Sequence, residues 1–199
     1  IIPAIMPVRF AELREKLSLV KGLVPLVQID VMDGVCVPEA GWPYTTGGPQ
    51  EFSKFSDEGE GLPFWEDIDV EADLMVSDPR DVIDDWLRAG AKRIIVHIES
   101  VEDVPKLLSE LSVFFAGDHS AIGVGELGLA LNIDTSLERV LPFVEGIDFV
   151  QFMGIAKIGF QGEPFDERVI PKIARLRGQH PDTIISVDGG VHLENAPRL

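Results

Sequence analysis

The chain has 199 residues, 45% of them hydrophobic, enough to build a buried core and too many for a disordered segment. Its 34 acidic against 17 basic residues give a net charge of −17, which argues against a nucleic-acid partner or an anionic membrane surface, since both need basic patches. The single cysteine, Cys36, excludes an internal disulfide and suits a reducing cytoplasm, and no apolar run approaches the ~20 residues that span a bilayer. The start at Ile1-Ile2-Pro3, without Met, reads as trimmed.

Ile1 to Met6 reads as a short apolar strand, and Arg9 to Lys21 has helical spacing, with Phe10, Leu13, Leu17 and Val20 on one face. Leu26 to Met32 alternates as a second strand. Alternation puts Gln28, Asp30 and Met32 on one face, before the break at Asp33-Gly34. A long Gly/Pro/aromatic region follows from Val35 to Leu62, with Gln50 to Phe55 as a candidate helix and Asp57-Glu58-Gly59-Glu60 as a solvated turn. Ile68 to Val76 is a third strand, Arg80 to Arg88 a helix, Arg93 to Ile98 a fourth strand and Val101 to Phe115 a helix. Leu127 to Ile133 is a fifth strand, Ser136 to Val144 a helix and Asp148 to Ile155 a sixth strand. Glu167 to Arg177 is a helix, Thr183 to Val187 a seventh strand, and a further helix starts at Leu193.

Strand and helix alternating for seven rounds predict a parallel sheet with right-handed crossovers. An open doubly wound sheet and a closed (β/α)8 TIM barrel both fit, and the count favours the barrel, with its last strand and helix missing from this chain. Residues 1–199 then form a single barrel domain that is incomplete at its C-terminal end.

Polar residues gather at strand ends: Asp30, Asp73, Asn132 and Asp188. A lone strand-end aspartate is usually a cap or turn residue. Three that converge on one mouth repel each other, and a hard divalent cation with oxygen ligands would relieve them, with Gln28 adding a carbonyl oxygen. Gly159-Phe160-Gln161-Gly162 and Gly189-Gly190 each follow a strand and precede a helix. There, glycines either serve a tight turn or let backbone amides reach a phosphate, with Lys157 as a nearby cation. His97 reads as a hydrogen-bonded structural histidine. His119, His180 and His192 carry no chemical signal, and Cys36 reads as an inert thiol.

Over nearly its whole length the chain resembles the ribulose-phosphate 3-epimerase family. The resemblance is carried by Ile29-Asp30-Val31-Met32-Asp33-Gly34 with Val37-Pro38, by Leu74-Met75-Val76, and by Gly90-Ala91 through His97-Ile98-Glu99. Ala130-Leu131-Asn132, Gly159-Phe160-Gln161-Gly162 through Phe165, and Val187-Asp188-Gly189-Gly190-Val191 complete it. It implies a cytoplasmic, homo-oligomeric phosphate-binding barrel that interconverts D-ribulose 5-phosphate and D-xylulose 5-phosphate, or a related ketose phosphate. Asp30 and Asp188 would be the acid/base pair, Asp30, Asp73, Asp188 and Gln28 the metal ligands, and Met32, Met75 and Met153 the thioethers along the enediolate. Gly159, Gly162, Gly189, Gly190 and Lys157 would hold the phosphate.

The departures fall on the metal. The family's two ligand histidines are replaced by Gln28 and Asp73, leaving an all-oxygen set that favours Mg²⁺ or Mn²⁺ over Zn²⁺, or no metal. The family's strand-one serine falls near Pro7, its asparagine-proline becomes Asn132-Ile133, and the proline before the Gly-Phe loop is lost around Lys157-Ile158. Its last phosphate loop would lie beyond Leu199. The alternatives are a non-catalytic sugar-phosphate-binding or scaffold paralogue, and a decarboxylase or aldolase of the same barrel class. The latter lacks the Asp-x-Lys-x-x-Asp strand end that supplies a lysine.

Overall fold

In the computed structural model, which describes residues 1–57, 60–115 and 125–199, seven parallel strands form one sheet in sequence order. They are β1 (Ala4–Ile5), β2 (Leu26–Met32), β3 (Asp69–Met75), β4 (Arg93–His97), β5 (Glu126–Leu131), β6 (Phe149–Met153) and β7 (Ile184–Asp188). The α-helices are α1 (Phe10–Val20), α2 (Gly48–Ser56), α3 (Arg80–Arg88), α4 (Val104–Phe115) and α5 (Val169–Gln179). Sequential order without a reversal point is barrel topology rather than that of a doubly wound sheet. The sheet curls into an incomplete (β/α)8 barrel.

Two faces of each strand explain the curl. Ile29, Val31, Ala72, Leu74, Ile94, Val96, Leu129, Val150 and Phe152 lie in the main apolar core, with the helix residues Leu13, Leu17, Ile83 and Trp86. The alternate residues face the barrel interior, and many are polar: Gln28 and Asp30 on β2, Glu71 and Asp73 on β3, His97 on β4 and Gln151 on β6 are all buried. An interior this polar needs internal partners for its donors and acceptors. Arg93 forms two ion pairs at the N-terminal end, Nη1 lying 2.9 Å from Glu71 Oε2 and Nε 2.9 Å from Glu126 Oε2. Its guanidinium also stacks over Phe149, 4.0 Å from the ring centroid. Gly128 makes room for that ring, since a Cβ there would fall 2.3 Å from it.

The long segment after β2 is tied down by aromatic packing. Phe52 of α2 lies 4.7 Å from Trp86 of α3 and 5.5 Å from Trp42, ring centroid to centroid. The segment therefore carries its own helix, as the sequence suggests, and holds the mouth loop in place. Within the expected acidic turn, residues 58 and 59 lie outside the described residues, as does His119.

Two expected helices are not α-helical. Ser136 to Val144 forms two short 3-10 segments, Leu137–Arg139 and Leu141–Gly146, and Pro142 at the start of the second has no N–H for a continuous helix. From Leu193 onward only a 3-10 turn, Ala196–Arg198, is formed. Its Pro197 and the Asn195 side chain, which accepts from His192 N and donates to Gly190 O, favour a capped turn. Among the described residues, no helix is long and apolar enough to cross a membrane.

Candidate active site

Register brings the polar strand ends to one mouth. Asp30 is the direct cross-strand neighbour of Asp73, Met32 of Met75, and Met153 of Asp188. Asp30 and Asp188 line a cavity of ≈ 180 Å³, with Met75 and Met153 beside them and Gly159, Gly162, Gly189 and Gly190 along its rim. Met32 stays out of the lining and packs with Met75 and Val37. Lys157 is exposed and does not line the cavity, so its position supplies no cation there. A larger cavity of ≈ 620 Å³ shares Gly162 and Gly190, but Glu163, Glu167 and Glu194 make it acidic, and its Arg198 is bound to Glu167 at 2.7 Å.

The surroundings raise the pKa of both cavity carboxyls. Burial, then repulsion from Asp73 and Asp188, pushes Asp30 well above the usual carboxylate range. Burial and Asp73 together raise Asp188 to about 6. Gln28 acts against both shifts: its Nε2 donates to Asp30 Oδ1 at 2.8 Å, and it also favours the charged form of Asp188.

Asp73 is fully buried and does not line the cavity. Gln151 Nε2 donates to its Oδ2 at 3.0 Å, and His97 Nε2 lies 3.1 Å from its Oδ1, an ion pair more than an aligned hydrogen bond. Burial opposes charge on His97, but Asp73 and then Glu99 outweigh it and hold the imidazole at about 10. His97 thus stands beside Asp73 in the barrel wall, without the aligned hydrogen bond that the sequence reading expects of it. Gln151 was not among the expected site residues. Its signal was an amide alone in Phe149-Val150-Gln151-Phe152-Met153, two residues before Met153 and hence on the same face.

Loops around the mouth are fixed by backbone contacts. Asp33 Oδ1 accepts from Val35 N and Cys36 N, both at 2.8 Å, and its Oδ2 accepts from Ser77 N at 2.6 Å, joining the loops after β2 and β3. Burial alone would raise the Asp33 carboxyl, and these backbone donors instead hold it low. Gly189 and Gly190 have φ of +87° and +67°, and a Cβ would sit 2.7 Å from Ile155 or from the Phe165 backbone, respectively. Successive amides in this conformation form a concavity suited to an anion.

Expected metal ligands and observed contacts disagree. Among the described residues, no three His, Cys, Asp or Glu side chains are grouped to hold a metal ion. Asp73 is committed to His97 and Gln151, and Gln28 presents its N–H end, not its carbonyl, to Asp30. The residues as arranged do not fit a divalent cation.

A parallel α/β barrel with its ionisable side chains gathered at the carboxyl ends of the strands has the layout of a barrel enzyme's catalytic face. Residues 1–199 match the family model described as the Ribulose-phosphate 3 epimerase family. The chain belongs to that family. A Chlamydia pneumoniae protein named ribulose-phosphate 3-epimerase is 33% identical over 177 residues, covering 86% of this chain and 68% of that relative. A Bacillus subtilis protein of the same name is 29% identical over 206 aligned positions, covering 99% and 83%. The Arabidopsis thaliana ribulose-5-phosphate-3-epimerase, chloroplastic, is 28% identical over 206 positions, covering 99% and 65%.

Proposed function

We propose that the chain is an epimerase of a phosphorylated ketose, with D-ribulose 5-phosphate and D-xylulose 5-phosphate as the substrate pair. One observation carries this reading: Asp30 and Asp188 line a single cavity, and both have raised pKa values. Inverting a carbon next to a ketone needs one group to remove its proton and another to return a proton to the opposite face. Carboxyls with raised pKa values are better matched to that task near neutral pH than ordinary ones. As the ionised member takes the C3 proton, an enediolate forms, and the protonated member then donates to the other face. The two carboxyls exchange protonation states in each turnover and reset with solvent.

Met75 and Met153 flank the pair with polarisable thioethers that do not compete as bases. The Gly189-Gly190 amides and the Gly159 to Gly162 loop would receive the phosphate, a local site that offsets the overall charge of −17. No step is routed through a metal, because the side chains do not fit one. A homo-oligomer in the cytoplasm remains the expectation for such an enzyme.

The test is deuterium wash-in at C3 of ribulose 5-phosphate by the folded protein. Absence of exchange, with or without added Mg²⁺, Mn²⁺ or Zn²⁺, sinks the reading. A non-catalytic sugar-phosphate-binding paralogue is the second reading, motivated by Gln28 and Asp73. It predicts ligand binding by calorimetry with no exchange.

A further inference from the structure

Three buried side chains hold the site's carboxylates in a way the epimerase reading does not require. Gln28 sits two residues before Asp30 on the same strand face and donates to it at 2.8 Å. Gln151 reaches Asp73 from β6, and His97 reaches it from β4. All of these side chains are less than one-tenth exposed.

We propose that side-chain donors replace a cation in this site: Gln28 holds the Asp30 member of the acid/base pair, while Gln151 and His97 withdraw Asp73 into the barrel wall. The proposal rests on the reading of Asp30 and Asp188 as the proton-transfer pair.

Chemistry and geometry carry it together. The amide nitrogen of Gln28 is the end that faces Asp30, donating to its Oδ1 at 2.8 Å. Turning its oxygen inward to ligate a cation would set oxygen against oxygen and remove that donor. Asp73 would have to give up contacts to both of its oxygens, stranding Gln151 Nε2 and His97 Nε2 in an interior closed to water. An imidazole nitrogen already stands 3.1 Å from Asp73 Oδ1, in the space a cation would need.

Gln28 is therefore a positioning residue with an electrostatic duty. It donates to one of two mutually repelling carboxyls at one cavity, and its dipole presents a positive end to charge developing there. This makes Gln28 and Gln151 a functional set, though they stand 123 residues apart in the chain.

The test is a Mn²⁺ titration of the full chain after chelation, followed by the electron paramagnetic resonance signal of free Mn²⁺ and by melting temperature, with Asp73→Asn in parallel. The expected result is no stoichiometric site at the mouth tighter than about 1 mM and no change in melting temperature on chelation. One equivalent bound more tightly, and lost in Asp73→Asn, overturns the proposal. Binding lost instead in Asp188→Asn overturns it as well, and only binding that survives both substitutions lies elsewhere and leaves the mouth metal-free, as proposed.

C3 exchange by the chelated protein is measured beside the titration and is expected to stay within about twofold of the metal-supplied rate, under 0.5 kcal/mol at RT of about 0.59 kcal/mol. A chelated rate that falls tenfold or more and returns with Mn²⁺ also overturns the proposal. Exchange absent from both samples sinks the epimerase reading, while the titration still decides this one. Gln28→Leu is expected to lower kcat with little change in KM and to shift the pH profile, and Gln28→Asn to recover part of the loss. A change in stability alone, with kcat and pH profile intact, overturns the positioning role.

Discussion

Gln151 on β6 donates to Asp73 on β3 at 3.0 Å, although two strands separate them in the sheet. In a flat sheet, strands three places apart lie about 14 Å from one another, three times the inter-strand spacing. The contact therefore exists only because the sheet curls, and it links the fold's closure to the site's charge balance. With His97 it gives a buried carboxylate two partners, where an unpaired one would be costly.

Gln151→Leu keeps the side-chain volume and removes the donor. It is expected to lower stability by about 1–3 kcal/mol, the cost of stripping a partner from a buried charged group. Urea denaturation checks this through a lower midpoint at unchanged slope. A loss below ~0.5 kcal/mol means the contact is not maintained in solution.

Asp30→Asn and Asp188→Asn should each reduce epimerisation by about 10²–10⁴-fold, the range for losing a positioned acid or base. The two variants should fail differently. Each keeps one functional carboxyl, so each should wash deuterium into C3 of one epimer without inverting it, and the two variants should act on opposite epimers. Proton NMR in D₂O separates exchange from inversion. Exchange of the same epimer by both variants argues against one aspartate on each face.

The fold was legible because its strands have two clearly different faces. Leu26–Met32 and Arg80–Arg88 end where the residue pattern places them, since apolar alternation and an amphipathic helix are local signals. Ser136 to Val144 misleads because apolar spacing is present while Pro142 prevents the hydrogen bonding of an α-helix. At the site, Asp30 and Asp188 could be found from the strand ends and the family motifs. The pairing of Asp73 with Gln151 could not, because it depends on the curl bringing β3 to β6, and a lone glutamine in an apolar strand does not name its partner. Asp73 itself shows the limit of position: it stands at the expected strand end, yet its oxygens face protein donors instead of the cavity.

Gly190→Ala tests the anion cradle. Gly190 has φ +67°, and an added Cβ would meet the Phe165 backbone at 2.7 Å, so the turn must shift. The strain is of order 1–3 kcal/mol and falls where the amides should meet the phosphate. The expected outcome is a raised KM for the phosphorylated ketose and weaker competition by inorganic phosphate, with the larger effect on KM than on kcat. Unchanged phosphate competition would remove this loop from the binding site.

Glu99 gives the fold an acid limit. Its Oε1 accepts from Asn132 N at 2.9 Å, and its side chain also meets His97 and Thr135, tying the end of β4 to the loop after β5. Burial alone would raise this carboxyl, but His97, Thr135 and the Asn132 N–H hold it at about 2, against an ordinary value of 4.5. A depressed folded-state pKa means that the unfolded chain binds the proton first as acid is added. Glu99 thus stabilises the fold fully above pH 4.5, and the contribution is lost as the pH falls toward 2. Glu99→Gln should be less stable than the parent at pH 7 and lose less on acidification, so the two stability curves converge at low pH. Urea midpoints measured across that range check the sign. Parallel curves would mean that the Glu99 carboxylate has no favoured charged state in the folded protein.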